Sequence, residues 1–401
     1  MFELVDSVQD KPVIKVIGVG GGGGNAVKHM IASEVGGVDF ICANTDAQAL
    51  KDVEAQTIMQ LGNTITRGLG AGANPDVGRQ SALEDRERIA EVLTGADMVF
   101  ITAGMGGGTG TGGAPIVAEI AKDLGILTVA VVTRPFMIEG RKRTLVAEEG
   151  ILELRDKVDS LITIPNDRLL EVLGNKITMK AAYKEADNVL LGAVQGIADL
   201  MIRPGIMNVD FADVRTVMSE MGMAMMGSGA AVGENRAREA AEKAVRSPLL
   251  DNVNLQGARG ILVNIITGSE EAGCQELTLG EYSEVGQIVQ EIASDDATVV
   301  IGTAVDDKLG DEMRVTVVAA GLGEPGTQAA RPTKVVDNTR RAEPRETARP
   351  VAPAEAARDT QEVRNNRVES ERPKRAMPAL NPADQDMEYL DIPAFLRRQA
   401  D

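Results

Sequence analysis

Tryptophan is absent from this 401-residue chain, histidine occurs once, cysteine twice, and there are six phenylalanines and three tyrosines. The core must therefore be aliphatic. His29 stands alone, which excludes any site needing two histidines from one chain; with no nucleophile elbow present, it also leaves no Ser-His-Asp triad. Cys42 and Cys274 are too few for a disulfide framework or a cysteine-ligated zinc site, and they suit a reducing cytoplasm. No run of about 18 apolar residues is present, so no membrane span is expected. The first residues lack the basic start and apolar stretch of a secretory signal. Positive charge is also short, with 42 Lys and Arg against 60 Asp and Glu and a net charge of −18 at pH 7. Such a chain repels a phosphate backbone, so nucleic acid is not an expected partner.

Glycine, by contrast, is abundant and unevenly placed. All 43 glycines lie in residues 1–330, and residues 331–401 have none. Residues 331–380 hold 12 basic and 8 acidic residues, six prolines and no aromatics. Nothing there repeats at a helical or strand period, and so little apolar surface cannot offset chain entropy, so this stretch reads as a disordered linker. At the far end, LDIPAFLRRQ at 390–399 gathers Leu390, Ile392, Pro393, Phe395 and Leu396. An apolar motif after a disordered linker reads as a docking peptide, a chance cluster at a frayed terminus being the plainer alternative.

Strand and helix patterns alternate in the first half. VIKVIG at 13–18, FICAN at 40–44, MVFIT at 98–102, ILTVAVVT at 126–133 and LITI at 161–164 read as strands. Residues 25–35, 78–93 and 115–124 read as helices between them, the last with Pro115 in its first turn and Gly125 after its end. This rhythm predicts an α/β fold, a Rossmann-like parallel sheet covered by helices. A long helix is predicted at about 179–202, with Met179, Tyr183, Ala186, Leu190, Ala193, Val194, Ile197 and Met201 as its stripe and Pro204-Gly205 as its stop. Beyond it, helices at 211–221 and 281–293 and strands at 261–268, 297–305 and 314–321 suggest a second, α+β domain.

Two glycine clusters, GVGGGGGNAV at 18–27 and GMGGGTGTGG at 104–113, each follow a strand and precede a helix. In an open parallel sheet, such positions face the ligand, and glycine lets backbone N–H groups approach phosphate oxygens. Thr109 and Thr111 add hydroxyls. Gly18, Gly20 and Gly23 satisfy the dinucleotide pattern G-x-G-x-x-G, but six glycines so close together satisfy many patterns. No P-loop sequence occurs. Two loops plus GLGAGANP at 68–75 suit a mononucleotide triphosphate better than a dinucleotide. A Rossmann dehydrogenase and a nucleotide-gated scaffold without hydrolysis remain as alternatives at this point, separated by hydride turnover and by phosphate release.

GGGTGTG at 106–112 resembles the tubulin-type GTP-binding motif, and NTDAQAL at 44–50, GLGAGANP at 68–75, NVDFAD at 208–213 and DIPAFLRRQ at 391–399 resemble motifs of its bacterial relatives. The sequence is therefore similar to the FtsZ family, the tubulin-like GTPases of bacterial cell division, over about 11–321 and again at about 386–399. The resemblance implies a GTP-binding domain at 1–178, a central helix at 179–205, an activation and assembly domain at 206–321, a linker at 322–380 and a partner-binding peptide at 381–401. It implies Gly21, Gly22, Gly23, Gly24, Asn25, Gly107, Gly108, Thr109 and Gly110 at the nucleotide. Glu139 would hold the ribose, with Arg143 near sugar and phosphates, Asn166 and Asp187 on the guanine edge, and Tyr183 stacked on the base. Tyr183 is also a plain core position in the helical stripe, and Asn166 and Asp187 are also ordinary surface polar residues. Met137 and Gly113 depart from the family pattern but leave the ligand groups in place.

The glycine clusters contain no general base, lysine or arginine finger, although phosphoryl transfer to water needs a positioned nucleophile and charge stabilisation. NVDFAD offers Asn208, Asp210 and Asp213, but beyond a helix of about 24 residues, roughly 36 Å long. The loop would then reach a terminal phosphate only in another subunit, and head-to-tail contacts that do not close build filaments. Locally, Asp210 also reads as an N-cap with Asp213 as its reciprocal partner. The resemblance implies that this loop completes the neighbour's site. Mg²⁺ is expected to be held by phosphates and water, with Gln48 as an outer contact and no protein metal site. The implied partners are further copies of the chain and, through Asp391, Ile392, Pro393, Phe395 and Leu396, membrane-attached division adaptors and assembly regulators. The implied location is the cytoplasmic face of the membrane at midcell.

Overall fold

Runs rich in Val and Ile become strands because branched side chains pack well on a pleated surface. The structure is a computed structural model that describes residues 11–322 apart from 175, 204, 221, 251–256 and 295. The linker from 323 onward and the peptide with Asp391, Ile392, Pro393, Phe395 and Leu396 lie outside the described residues. The strands are β1 (Ile14–Val19), β2 (Val38–Asn44), β3 (Thr57–Gln60), β4 (Met98–Gly104), β5 (Leu127–Arg134), β6 (Ser160–Pro165), β7 (Gly222–Ala231), β8 (Gly260–Thr267), β9 (Thr298–Val305) and β10 (Met313–Leu322). The helices are α1 (Gly20–Ala32), α2 (Ala47–Leu50), α3 (Asn63–Thr66), α4 (Pro75–Glu84), α5 (Arg86–Leu93), α6 (Thr109–Asp123), α7 (Arg141–Arg155), α8 (Asn166–Leu173), α9 (Met179–Ile202), α10 (Phe211–Met218), α11 (Arg236–Val245) and α12 (Leu279–Ile292).

All ten strands hydrogen-bond into one sheet in the order β3-β2-β1-β4-β5-β6-β7-β10-β8-β9. The first six are parallel, and β7 joins β6 in parallel through Ser160 opposite Gly222. β10 then runs antiparallel to both β7 and β8. The parallel part has the doubly wound order in which direction reverses at β1, and that reversal opens a crevice at the carboxyl ends of β1 and β4. Val16, Phe40, Cys42 and Phe100 pack with Met30 of α1 and Ile197 of α9 on one face. Ile17, Ile41, Ile101 and Ile89 pack with Val117 of α6 on the other. A third apolar cluster joins β8 and β10 to Ala240 of α11 and Val285 of α12. Among the described residues, no helix is long and apolar enough to cross a membrane.

Several local expectations change. The first glycine run is not a loop, since α1 starts at Gly20; the second is a turn only as far as Gly108, since α6 starts at Thr109, so Pro115 stands inside α6, not in its first turn. Gly125 does follow the helix end, with φ +75° and its N–H donated to the Lys122 carbonyl. The predicted helix 78–93 is two helices meeting at Asp85, whose carboxylate accepts from Gly62 N and from Arg88 Nη1 and so caps no backbone N–H of α5. α9 matches its predicted span, but Met179 and Tyr183 are 51% and 40% exposed. The buried part of the stripe begins at Ala186, so Met179 and Tyr183 in the first turns of α9 are free to line a site.

Candidate nucleotide site

β1 passes into α1 without a connecting loop. The turn is made at Gly20, whose φ of +75° disfavours any side chain and whose Cβ position lies 2.8 Å from the backbone N of Gly110 in the first turn of α6. The amino ends of α1 and α6 therefore meet at the crevice. Neither carries a side-chain cap, Val19 and Gly108 occupying the cap positions. The first N–H groups of a helix have no partner within it, and here two sets of such donors and two favourable dipole ends converge. A side chain at Gly21, Gly24 or Gly107 would meet nothing of the protein within 4 Å, so open space lies over these backbones. Gly22 faces Gly104, and Gly23 is pressed against the Thr102 carbonyl, so Gly23 serves helix–sheet packing.

A second layer holds these ends. Thr109 is buried and its Oγ1 lies 2.6 Å from Oγ1 of Thr45, a residue of the NTDAQAL motif that sequence reasoning passed over. Asp46 caps α2 by accepting from Gln48 N at 2.8 Å, and Gln48 itself is exposed. Thr111 is not available as a site hydroxyl: it is buried, and its Oγ1 accepts from Gly106 N at 2.8 Å. In GLGAGANP, Asn74 caps α4 and the Gly72 carbonyl closes over Gly108. A cleft of about 250 Å³ beside α1 is lined by Gly20, Gly21, Gly24, Asn25 and Lys28 together with residues of β2 and α2.

The residues expected at a sugar and base stand on α7, α8, α9 and the turn before α7. Glu139 Oε1 accepts from Phe136 N at 2.9 Å, and its other oxygen pairs with Arg143 at 3.0 Å. Phe136, also missed from sequence, meets Tyr183 edge-on with ring centroids 5.3 Å apart. An aromatic directly before the Met-Ile-Glu turn was the available signal. Burial, and after it the Glu139 carboxylate, raises the Tyr183 hydroxyl pKa. Asn166 opens α8 and is not a surface residue: it is 3% exposed, and its Oδ1 is buried without a hydrogen-bond partner. Asp187 is half-buried, and burial pushes its carboxyl up to about 6 against the opposing charge influence of His29. His29 Nε2 donates to Asn188 Oδ1 at 2.5 Å, because the Asn188 amide nitrogen is already committed to Glu185.

Asn208, Asp210 and Asp213 lie elsewhere. Ile202, the last residue of α9, packs where a side chain on Gly37 would stand, and Gly37 precedes β2. The acidic segment thus follows α9 at the amino edge of the sheet, opposite the edge where α1 and α6 begin. Asn208 Oδ1 accepts from Gly205 N at 3.0 Å, and Asp210 caps α10 by accepting from Asp213 N at 2.8 Å. The reciprocal half of a capping box is not formed. The Asp213 carboxylate is exposed and takes no partner among the described residues.

Comparison with known proteins resolves which of the sequence readings applies. Residues 13–174 match the Tubulin/FtsZ family GTPase domain, and residues 222–323 match the FtsZ family C-terminal domain. Over 404 residues the chain is 61% identical to the cell division protein FtsZ of Pseudomonas aeruginosa, with 100% of both chains covered. The chain belongs to the FtsZ family. It is 62% identical over 408 residues to FtsZ of Pseudomonas putida, again over 100% of both. An FtsZ dimer structure from M. jannaschii superimposes with a TM-score of 0.73 at 43% identity, covering 78% of this chain and 88% of that one. The chain is a GTPase of the tubulin/FtsZ family, with the tubulin-like α/β fold. In FtsZ-family terms, α9 and the acidic segment fall between the two matched modules.

Proposed function

We propose that this chain is a cell-division GTPase that polymerises head to tail, each active site being completed by the acidic loop of the next subunit. The separation of the two half-sites carries the reading. The uncapped helix ends lie at one edge of the sheet and the partnerless Asp213 at the other. The phosphates of GTP would rest on the backbone of Gly21, Gly22, Gly24, Gly107, Gly108, Thr109 and Gly110, with Gly23 packing beneath and Asn25 beside them. Open space over Gly21, Gly24 and Gly107 supports this fit. Glu139 and Arg143 would hold the ribose, and Tyr183 would stack on the base. Asn166, with its unsatisfied Oδ1, and the Asp187 carboxylate would accept the N1–H and 2-amino donors of guanine, which adenine lacks. Mg²⁺ would enter on phosphate oxygens and water, adding charge neutralisation.

Asn208, Asp210 and Asp213 would orient the attacking water at the neighbour's terminal phosphate and shape the field around it. GTP would favour the subunit contact and hydrolysis would weaken it. On this reading residues 1–178 bind nucleotide, 179–205 connect, 206–321 activate the neighbour, 322–380 link, and 381–401 dock membrane-attached adaptors at the midcell ring on the cytoplasmic face.

Mixing subunits tests the idea. Asp213→Ala should bind GTP normally and still assemble, while its turnover falls about a hundredfold, the loss expected for one charge-stabilising group. Doped into unmutated protein, it should lower phosphate release per unmutated pocket, and specific activity of the unmutated protein should rise with concentration. Activity independent of both concentration and mutant fraction would mean that one chain holds a complete site.

A further inference from the structure

Asp199 sits in the last turn of α9, 2% exposed, where a carboxylate is costly to bury. Its Oδ1 lies 3.0 Å from Nε of Arg203, and its Oδ2 is buried with no hydrogen-bond partner. Arg203 is the residue from which the chain leaves α9 for the acidic loop. Its Nη1 reaches Asp306 Oδ2, in the turn after β9, at 3.2 Å. One guanidinium is thus shared by two carboxylates, one on the helix and one on the second half of the sheet. The loop beyond is fixed to the same strand. Met207 N donates to Thr303 Oγ1 at 2.8 Å, Thr303 N donates to the Met207 carbonyl at 3.0 Å, and Gly205 packs so closely on the Thr303 carbonyl that no Cβ fits.

We propose that Asp199, Arg203 and Asp306 form a charged latch that sets the root of the acidic loop, and that Asp199 is a positioning residue for hydrolysis at the neighbouring subunit. This rests on the acidic-loop reading above. A charge retained in a buried, incompletely satisfied place destabilises the fold unless it is paired. Here the pairing fixes the direction in which the chain leaves α9 toward Asn208, Asp210 and Asp213. Burial pushes the Asp199 carboxyl up to about 6, opposed by the Arg203 charge. The groups facing it are Arg203 and Gln195 of α9, Asp306, and Arg314 of β10, with Lys308 beside Asp306 and itself paired to Glu34 at 2.6 Å. Because the native carboxyl takes up its proton as pH falls through about 6, Arg203 then keeps only Asp306 as an ionised partner, and the latch slackens.

The test uses the full chain at saturating GTP and saturating protein. Asp199→Asn should keep its GTP Kd within about twofold and lose about tenfold in kcat, since small misplacement of catalytic groups is costly. Unmutated kcat should fall between pH 7.5 and 5.5, whereas kcat of Asp199→Asn should stay flat. Saturation matters because Asp187 titrates in the same range but at the base, where its protonation acts on KM. Asp306→Asn, at a more exposed position, should give a smaller loss in kcat and keep the fall toward pH 5.5, because Asp199 still takes up its proton there, and it serves if Asp199→Asn does not fold. Arg203→Lys, which keeps the charge but not the two-sided fork, should fall between them and the unmutated chain. Unchanged kcat in Asp199→Asn and Asp306→Asn, or a kcat of Asp199→Asn that is lost but keeps the unmutated pH profile, overturns the latch. If Asp213→Ala doping leaves unmutated pockets unaffected, the acidic-loop reading itself fails and the latch goes with it.

Discussion

Asp187 is under two opposed demands. Ionised, it can accept from two guanine donors; half-buried beside α1, it is held up to about 6 and gives up that charge easily. Its folded value stands above the ordinary carboxylate range near 4, so the native state binds the proton more tightly than the unfolded chain does. Stability from this group is therefore present at low pH and lost as pH rises through about 6. Asp187→Asn should raise the Tm of nucleotide-free protein at pH 7.5, with the difference closing by pH 4, and should weaken GTP binding at pH 7.5. The unmutated protein should itself bind GTP more weakly as pH falls below 6, whereas the variant should not. Calorimetry and nucleotide displacement across this range check both halves. Neither the burial of Asn166 nor that of Asp187 was legible in the sequence, because both stand among polar neighbours. Their roles came from motif resemblance, whereas their unsatisfied or raised state belongs to tertiary packing. Asp199 gave no signal at all: it is one acid in a helix, and its partners Arg203 and Asp306 are 4 and 107 positions away.

Periodicity found the elements whose side chains carry it. β1, β2, β4, β5 and β6 came from Val and Ile runs, and α9 from its apolar stripe and its Pro204-Gly205 stop; its capping Thr178 carried no reading from sequence. β7 was missed because GMAMMGSGAA contains no β-branched residue, and its small residues exist for close approach. Side chains at Gly227 and Gly229 would meet the carbonyls of Ala244 and Ala240 in α11. The first glycine run, and the second beyond Gly108, were mistaken for loops for a related reason. Glycine is a poor helix former, and only the packing of α1 and α6 makes those turns helical. In α6 the fit is closest at Gly112, where a Cβ would stand 1.9 Å from the Pro75 carbonyl of α4. Gly112→Ala should therefore push α4 away, costing about 3 kcal/mol or more, as strained or overpacked core positions do. It should also loosen the Gly108–Gly72 closure over the phosphate end. Urea unfolding and GTP affinity should fall together; a midpoint within error of the unmutated protein would refute the packing argument.

The folded unit holds the ten-stranded sheet and every residue proposed for the nucleotide, whereas the peptide proposed for docking lies outside the described residues. No residue of the nucleotide site lies beyond position 322, so removing 332–401 should leave GTP turnover near its full value. The same truncation should abolish adaptor binding, and Phe395→Ala or Leu396→Ala should do so alone, because a buried aromatic or aliphatic anchor dominates short-peptide docking. Adaptor binding that survives loss of 381–401 would rule out the docking role. Within the folded unit, the sheet has two outer strands, β3 with four residues and β9 with eight. An unpaired strand of that second length is a template on which other chains can add side by side. The segment from Gly205 to Asn208 lies along part of it, its Met207 carbonyl taking the Thr303 N–H. The loop proposed to serve the next subunit thus also shields its own sheet from cross-β stacking. A chain that lost this segment would forfeit more than turnover: it would gain a sideways, nucleotide-blind route to aggregation that competes with ordered end-to-end growth.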